Sequence, residues 1–245
     1  MMERPRGEQV LANPRAAFVV EWAARAAIVA IFTALAALNL AGIYHITPLD
    51  SPERLLGVAA RLANFMFLIL VAATALTRLS PILKAKGMEP RVSALLGTFM
   101  CAVLTQLPKT ELGPVLSITS TLLIIIGSVL SFIVLRWLGK SFSILAEARR
   151  LVTSGPYKVV RHPLYLCEGI ALVGVALQVI SPLAVAIVPI IVLIQFRRMI
   201  NEEAVLNSAF TEYRAYAART PRLAPALLAG FHSGSNPLID ESRTQ

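Results

Sequence analysis

The feature that most constrains this chain is its alternation of long apolar runs with short polar loops crowded with arginine and lysine. A bilayer-spanning helix needs roughly 20 mostly apolar residues. Runs of that kind are read at about residues 24–44, 57–77, 92–107, 114–138, 163–180 and 183–199, the third being short. The chain of 245 residues is 56% hydrophobic and only 15% charged, against about 25% charge in soluble domains. A soluble fold could not bury that much apolar side chain, whereas a bilayer solvates it. The expected fold class is therefore all-α: a polytopic membrane helix bundle of about six transmembrane helices.

The distribution of charge sets the orientation. With the N-terminus inside, the inner side receives residues 1–25, 78–91, 136–162 and 197–245, which carry 20 of the 23 basic residues. Only Arg54, Arg61 and Lys109 remain outside, and Arg61 can snorkel from the second run. The positive-inside bias places both termini in the cytoplasm. Trp22, Tyr44 and Trp137 fall near predicted interfaces. Residues 1–15 are polar and basic and are not followed by a signal-peptide pattern, so the first helix is expected to remain as an anchor. The net charge of +9 lies in loops and points to anionic lipid headgroups as partners, not to nucleic acid. Oligomeric state is not readable.

Four regions follow: residues 1–23 as a cytoplasmic N-terminal segment, 24–136 as helices one to four, 137–225 as a distinct C-terminal region, and 226–245 as a flexible tail. The Ser181-Pro182 break makes 163–199 a tight helical hairpin, and Pro189 is positioned to kink its second arm. This hairpin brings together two polar, patterned segments. In residues 151–166, LVTSGPYKVVRHPLYL, Pro163 suits the first turn of a helix. The free N–H groups of that helix, with Arg161 and His162, form an anion site. The plainer reading is a basic membrane-edge loop in which His162 caps the helix. In residues 197–225, Arg198 and Glu202 share a helix face, with Glu203 adjacent. Leu206, Phe210, Tyr213 and Ala217 form an apolar stripe. The plainer reading here is an amphipathic interface helix with a surface ion pair.

Other constellations are missing. The sequence has no Gly-rich dinucleotide fingerprint and no P-loop. Its two cysteines, Cys101 and Cys167, suit neither a disulfide framework nor a metal site and read as reduced core residues. His45, His162 and His232 are far apart. Sparse intramembrane charge argues against a pump or voltage sensor.

Together, the run from Leu151 to Tyr157, then Arg161-His162-Pro163-Leu164-Tyr165, then Arg198, Glu202-Glu203, Phe210, Tyr213 and Tyr216 resemble the isoprenylcysteine carboxyl methyltransferase family. The resemblance includes its bacterial members and the related phospholipid N-methyltransferases, and covers about residues 137–225. It implies an S-adenosylmethionine-dependent membrane methyltransferase. Glu147, Leu151, Val152, Tyr157, His162, Pro163, Leu164, Tyr165 and Glu202 would bind the cofactor, and Arg198 would face the methyl acceptor. No metal is implied.

The cofactor's carboxylate fits the helix N-terminus beside His162, its ammonium and ribose hydroxyls suit Glu202, and its sulfonium suits the face of Tyr157 or Tyr165. A carboxylate acceptor held by Arg198 needs no base, whereas an amine would, with Glu203 the candidate. The acceptor would be lipophilic and enter from the bilayer: a lipidated cysteine, phosphatidylethanolamine or a small lipophilic acid. The first three helices would be scaffold or acceptor gate. Two alternatives remain: an NADPH-dependent membrane reductase related to sterol reductases, and a non-catalytic membrane scaffold.

Overall fold

The computed structural model describes residues 14–223; His232 and the segment 226–245 lie outside the described residues. Seven α-helices account for most of it: α1 Pro14–Ala41, α2 Pro52–Thr77, α3 Glu89–Leu104, α4 Pro114–Leu138, α5 Pro163–Gln178, α6 Pro182–Ala209 and α7 Tyr213–Arg219. Proline stands in the first turn of α2, α3, α4, α5 and α6, where its missing N–H costs nothing. Ser51 and Ser181 cap α2 and α6 by accepting the N–H of Arg54 (3.4 Å) and Ala184 (3.1 Å). Ser181-Pro182 thus supplies both the cap and the first turn of α6, which is why so short a break separates it from α5.

Among the described residues four helical stretches are long and apolar enough to cross a membrane: Glu21–Ile46, Pro52–Thr77, Pro114–Ser141 and Pro182–Ala209. At about 1.5 Å per residue, the 16 residues of α3 and of α5 span about 24 Å, less than the roughly 30 Å hydrocarbon core. Six apolar segments therefore become four full-length helices and two shorter ones. α5 stops at Gln178 because its end is tied sideways: the Gln178 carbonyl accepts the Thr110 N–H (2.9 Å). α6 runs through Pro189 and continues ten residues past the expected end at 199. The chain then turns back through Phe210 into α7.

The helices pack α1 on α2, α2 on α4, α4 on α5, and α3 on α6. The α4–α5 contact depends on two glycines. A Cβ on Gly127 would lie 2.5 Å from the Ala171 nitrogen, and one on Gly174 would lie 2.6 Å from the Ser120 carbonyl oxygen. The hairpin is accordingly not tight: α5 and α6 are consecutive but share little contact. They are held together at one end by a cluster containing Leu104, Leu172, Val179, Ala184 and Ile191. At the other end the link is through side chains, Tyr165 of α5 meeting Arg198 and Glu202 of α6. A second cluster, around Val71, Leu135, Phe142, Tyr157 and Leu164, roots the loops of the basic side in the bundle.

The all-α architecture carries one small antiparallel ribbon, β1 Leu83–Lys84 against β2 Glu147–Ala148, with Leu83 opposite Ala148. It fastens the α2–α3 loop to the segment that leads into residues 151–166. Large side chains such as Leu38, Leu193 and Val185 are exposed on the helices, as expected of surfaces facing lipid tails rather than water.

Candidate active site

The loops of the basic side enclose a cleft that opens to solvent. Its walls come from three stretches. The loop after α4 supplies Phe142, Glu147, Arg149, Arg150, Leu151, Val152 and Tyr157; the start of α5 supplies His162, Leu164 and Tyr165; and α6–α7 supply Arg198, Glu202, Leu206, Tyr213 and Tyr216. The tight turn at Gly155 (φ +59°) lays the backbone on the Trp137 ring, where a Cβ would come within 2.6 Å of a ring carbon. Only glycine fits there, so Ser154-Gly155-Pro156 acts as the pivot that turns Tyr157 inward. The Tyr157 carbonyl accepts the buried Tyr216 hydroxyl at 2.6 Å, locking α7 to the loop.

Two polar groups on α6 face the cleft. Arg198 is buried, 6% exposed. It lies over the Tyr165 ring at 5.1 Å, donates to the Ile144 carbonyl at 3.1 Å and brings Nε to 3.3 Å from Glu202 Oε1. The Tyr165 hydroxyl donates to the same Glu202 oxygen. Tyr165 thus serves as a hydrogen-bond donor, a cation–π face and, through a T-shaped contact at 5.4 Å, a neighbour of the His162 ring.

Glu203, one residue on, has different surroundings. It lies in the wall behind the cleft and is not part of the lining. Its carboxylate faces His162 Nε2 at 2.8 Å, Arg161 Nη1 at 3.0 Å, and Arg222 Nε and Nη2 at 2.9 and 2.7 Å. Backbone bonds reinforce this clasp: the Arg161 and His162 N–H groups donate to the Pro221 and Arg222 carbonyls at 2.8 and 3.1 Å. The cations expected to draw an anion to the α5 N-terminus are therefore already engaged with Glu203. Pro163 is buried beside them as the first residue of α5 and does not line the cleft.

A second charged cluster closes the other wall. Glu147 accepts from Ser143 Oγ at 2.9 Å and pairs with Arg149, whose side chain is fully buried. Glu21 of α1 pairs with Arg78 at 3.2 Å and Lys84 at 3.3 Å. Nε and Nη1 of Arg149 have no hydrogen-bond partner among the described residues. Burial pulls the Arg149 guanidinium below its ordinary value, against the opposing pull of Glu147. Burial also pushes the Tyr157 phenol well above its ordinary value, so this tyrosine stays neutral.

Nine of the residues named from the sequence line the cleft together: Glu147, Leu151, Val152, Tyr157, His162, Leu164, Tyr165, Arg198 and Glu202. Pro163 and Glu203 stand behind it, and His45 lies at the opposite end of the bundle in the turn after α1. Sequence reasoning did not pick out Arg149 or Glu168. Arg149 was one basic residue among many in a loop, but Glu168 carried a legible signal, being an acid in the middle of an apolar helix.

This region also resembles known proteins. Residues 115–213 match the family model of the phospholipid methyltransferases. The matched stretch begins in α4 and ends at the start of α7, so it contains the Gly155 turn, Tyr165, Arg198 and Glu202 but stops short of the Arg222 clasp.

Two curated proteins are similar over part of their length. One is the cobalt-zinc-cadmium resistance protein CzcN of Cupriavidus metallidurans, 38% identical over 78 residues, 31% of this chain and 36% of that protein. The other is the nickel-cobalt-cadmium resistance protein NccN of Alcaligenes xylosoxydans xylosoxydans, 35% identical over 94 residues, 38% of this chain and 44% of that protein. The chain thus matches less than half the length of either relative.

Proposed function

We propose that this protein is an integral membrane methyltransferase that binds S-adenosylmethionine in the cleft and methylates a lipophilic acceptor arriving from the bilayer. The observation that carries the reading is the convergence of Glu202, Arg198 and Tyr165 with the Leu151–Tyr157 loop on one cleft, inside the stretch matching the methyltransferase family model. The residues present suit the cofactor. The unpartnered Nε and Nη1 of Arg149 would take its carboxylate, which moves that group away from the His162 position expected from the sequence. Glu202 would accept from its ammonium or ribose hydroxyls, and the Tyr157 and Tyr165 rings offer faces to a sulfonium. When bound, the cofactor supplies an electrophilic methyl group. The protein's own contribution is alignment and the exclusion of water.

The sparse contact between α5 and α6 would give the acceptor a way in from the lipid, and the basic end of the bundle, with both termini, would face the cytoplasm of a bacterial inner membrane. Glu203, with both oxygens held by Arg161, His162 and Arg222, is assigned to holding the α5 N-terminus rather than to proton transfer. The metal-resistance names of the relatives are compatible with an enzyme that modifies the membrane. Among the described residues no three His, Cys, Asp or Glu side chains are grouped to hold a metal ion.

The test is a titration of purified protein with S-adenosylhomocysteine and, separately, with NADPH. Saturable binding of the first, lost in Glu202→Gln while the melting temperature stays within a few degrees, is the expected result. Binding of NADPH alone would favour the reductase reading. Binding of neither would leave the scaffold reading standing.

A further inference from the structure

The loop that joins α2 to α3 carries β1, and its residues alternate with the period of an extended strand. Leu83 and Ala85 turn inward and pack with Ala146, Ala148 and Val205. Ile82, Lys84, Lys86 and Met88 turn outward and are exposed. The outward face therefore reads apolar, basic, basic, apolar. Ile82 is 65% exposed and Met88 76%, and side chains of that size gain by leaving water.

The height of the ribbon follows from α6. From Pro182 at its start to Val205 beside the ribbon, the helix rises about 35 Å at about 1.5 Å per residue. The hydrocarbon core is roughly 30 Å thick, so the ribbon lies at the level of the headgroups. The flanking helices show which way its outer face points. Met88 heads the stripe of α3 formed by Val92, Leu95 and Leu96, all exposed, while Ser93 and Gly97 are turned to Asn201 and Gln195 of α6. Ile82 follows Leu76 and Leu79, exposed at the end of α2. The two apolar side chains thus continue surfaces that face lipid, with Lys84 and Lys86 between them.

The charges nearby do not cancel. Lys84 reaches back to Glu21 at 3.3 Å and Glu147 at 3.7 Å, and those carboxylates also serve Arg78 and Arg149. Glu89 is taken by Arg197 at 2.9 Å. Lys86 and Arg91, both exposed, have no such partner among the described residues.

We propose that the face formed by Ile82, Lys84, Lys86 and Met88, together with Arg91, docks on anionic phospholipid headgroups in the leaflet at the basic end of the bundle. Ile82 and Met88 enter the acyl boundary, and the cations meet the phosphates. An anionic lipid is favoured over a zwitterionic one because the latter brings its own ammonium to a surface that already holds uncompensated cations. The surface lies outside the stretch that matches the family model, residues 115–213, and does not depend on the methyltransferase reading.

The experiment uses the full chain carrying Met88→Trp in nanodiscs of phosphatidylcholine and phosphatidylglycerol, with bromine on the acyl chains of one lipid or the other. Bromine quenches only a tryptophan it touches, and the protein without Met88→Trp gives the background from Trp22 and Trp137. Emission from position 88 should be quenched, and more by brominated phosphatidylglycerol than by brominated phosphatidylcholine. That preference should fall about fivefold for each of Lys86→Gln and Arg91→Gln, the scale of one basic side chain at a charged bilayer surface. The charge-keeping pair Lys86→Arg and Arg91→Lys should retain it, and Lys109→Gln, at the opposite end of the bundle, should not change it. No quenching by either lipid would put Met88 in water and overturn the docking. Equal quenching by both lipids, or a preference that survives Lys86→Gln with Arg91→Gln, overturns the anionic partner.

Discussion

Replacing Glu203 by glutamine keeps the shape of the side chain and removes its charge. Glu203 is 12% exposed at its side chain, and its partners His162, Arg161 and Arg222 are 6%, 16% and 33% exposed. Removing one member of a fully buried ion pair costs about 3–5 kcal/mol, because the remaining charge is left uncompensated. Here the cluster reaches water at Arg222, which lowers the figure, but Arg161 and His162 lose their partner at once. About 3 kcal/mol is a reasonable total. For a protein of this size that corresponds to a melting temperature lower by about 6–12 °C.

The assay is thermal unfolding in detergent micelles, with S-adenosylhomocysteine affinity measured alongside. Affinity should fall too, because the Arg161–His162 segment that Glu203 holds also lines the cleft. A double-mutant cycle with Arg222→Gln should recover a coupling of about 1 kcal/mol, the scale for a pair with one partly exposed partner. A variant that melts like the native protein, binds S-adenosylhomocysteine normally and yet transfers no methyl group would refute this reasoning. It would make Glu203 the base.

Gly127→Val should destabilise the α4–α5 contact by about 1–3 kcal/mol, since its Cβ would sit 2.5 Å from the Ala171 nitrogen; the same unfolding assay reads it. Gly155→Ala should cost about 1–2 kcal/mol for the left-handed backbone alone and displace the Trp137 ring, visible as a change in tryptophan emission. Tyr216→Phe should cost about 1–2 kcal/mol by leaving the buried Tyr157 carbonyl without its donor. Burial pushes the Tyr216 phenol up to about 12 from the ordinary 10.0. Its contribution to stability is therefore fully present below about pH 10 and is lost as pH rises toward 12. Tyr216→Phe should flatten that alkaline loss in a pH series of melting temperatures.

The apolar runs and their proline starts were legible because both follow from local chemistry: α4 has the bounds read from hydropathy alone, and Ser181-Pro182 marks the start of α6. The grouping of Tyr157, Tyr165, Arg198 and Glu202 was legible only as a resemblance, since residues up to 45 positions apart in sequence reveal no distance. Tertiary contacts decided the rest. Glu202 and Glu203 are indistinguishable as a dipeptide, but a helix turns about 100° between them, so one meets Tyr165 and the other meets Arg222. Hydropathy joined α5 and α6 into a hairpin because only a short break separates them. The glycines of α4 and α5 pull α5 the other way, and a single glycine carries no hydropathic signal. The two-residue ribbon is too short to show any period.

The bonds from Arg161 and His162 to the carbonyls of Pro221 and Arg222 also bear on the order of events during synthesis. The α5 start emerges some sixty residues before the strand that satisfies it. Until that segment arrives, the two backbone donors at the rim lack their final partners. The bundle helices are therefore all synthesised before the segment that closes this corner of the rim.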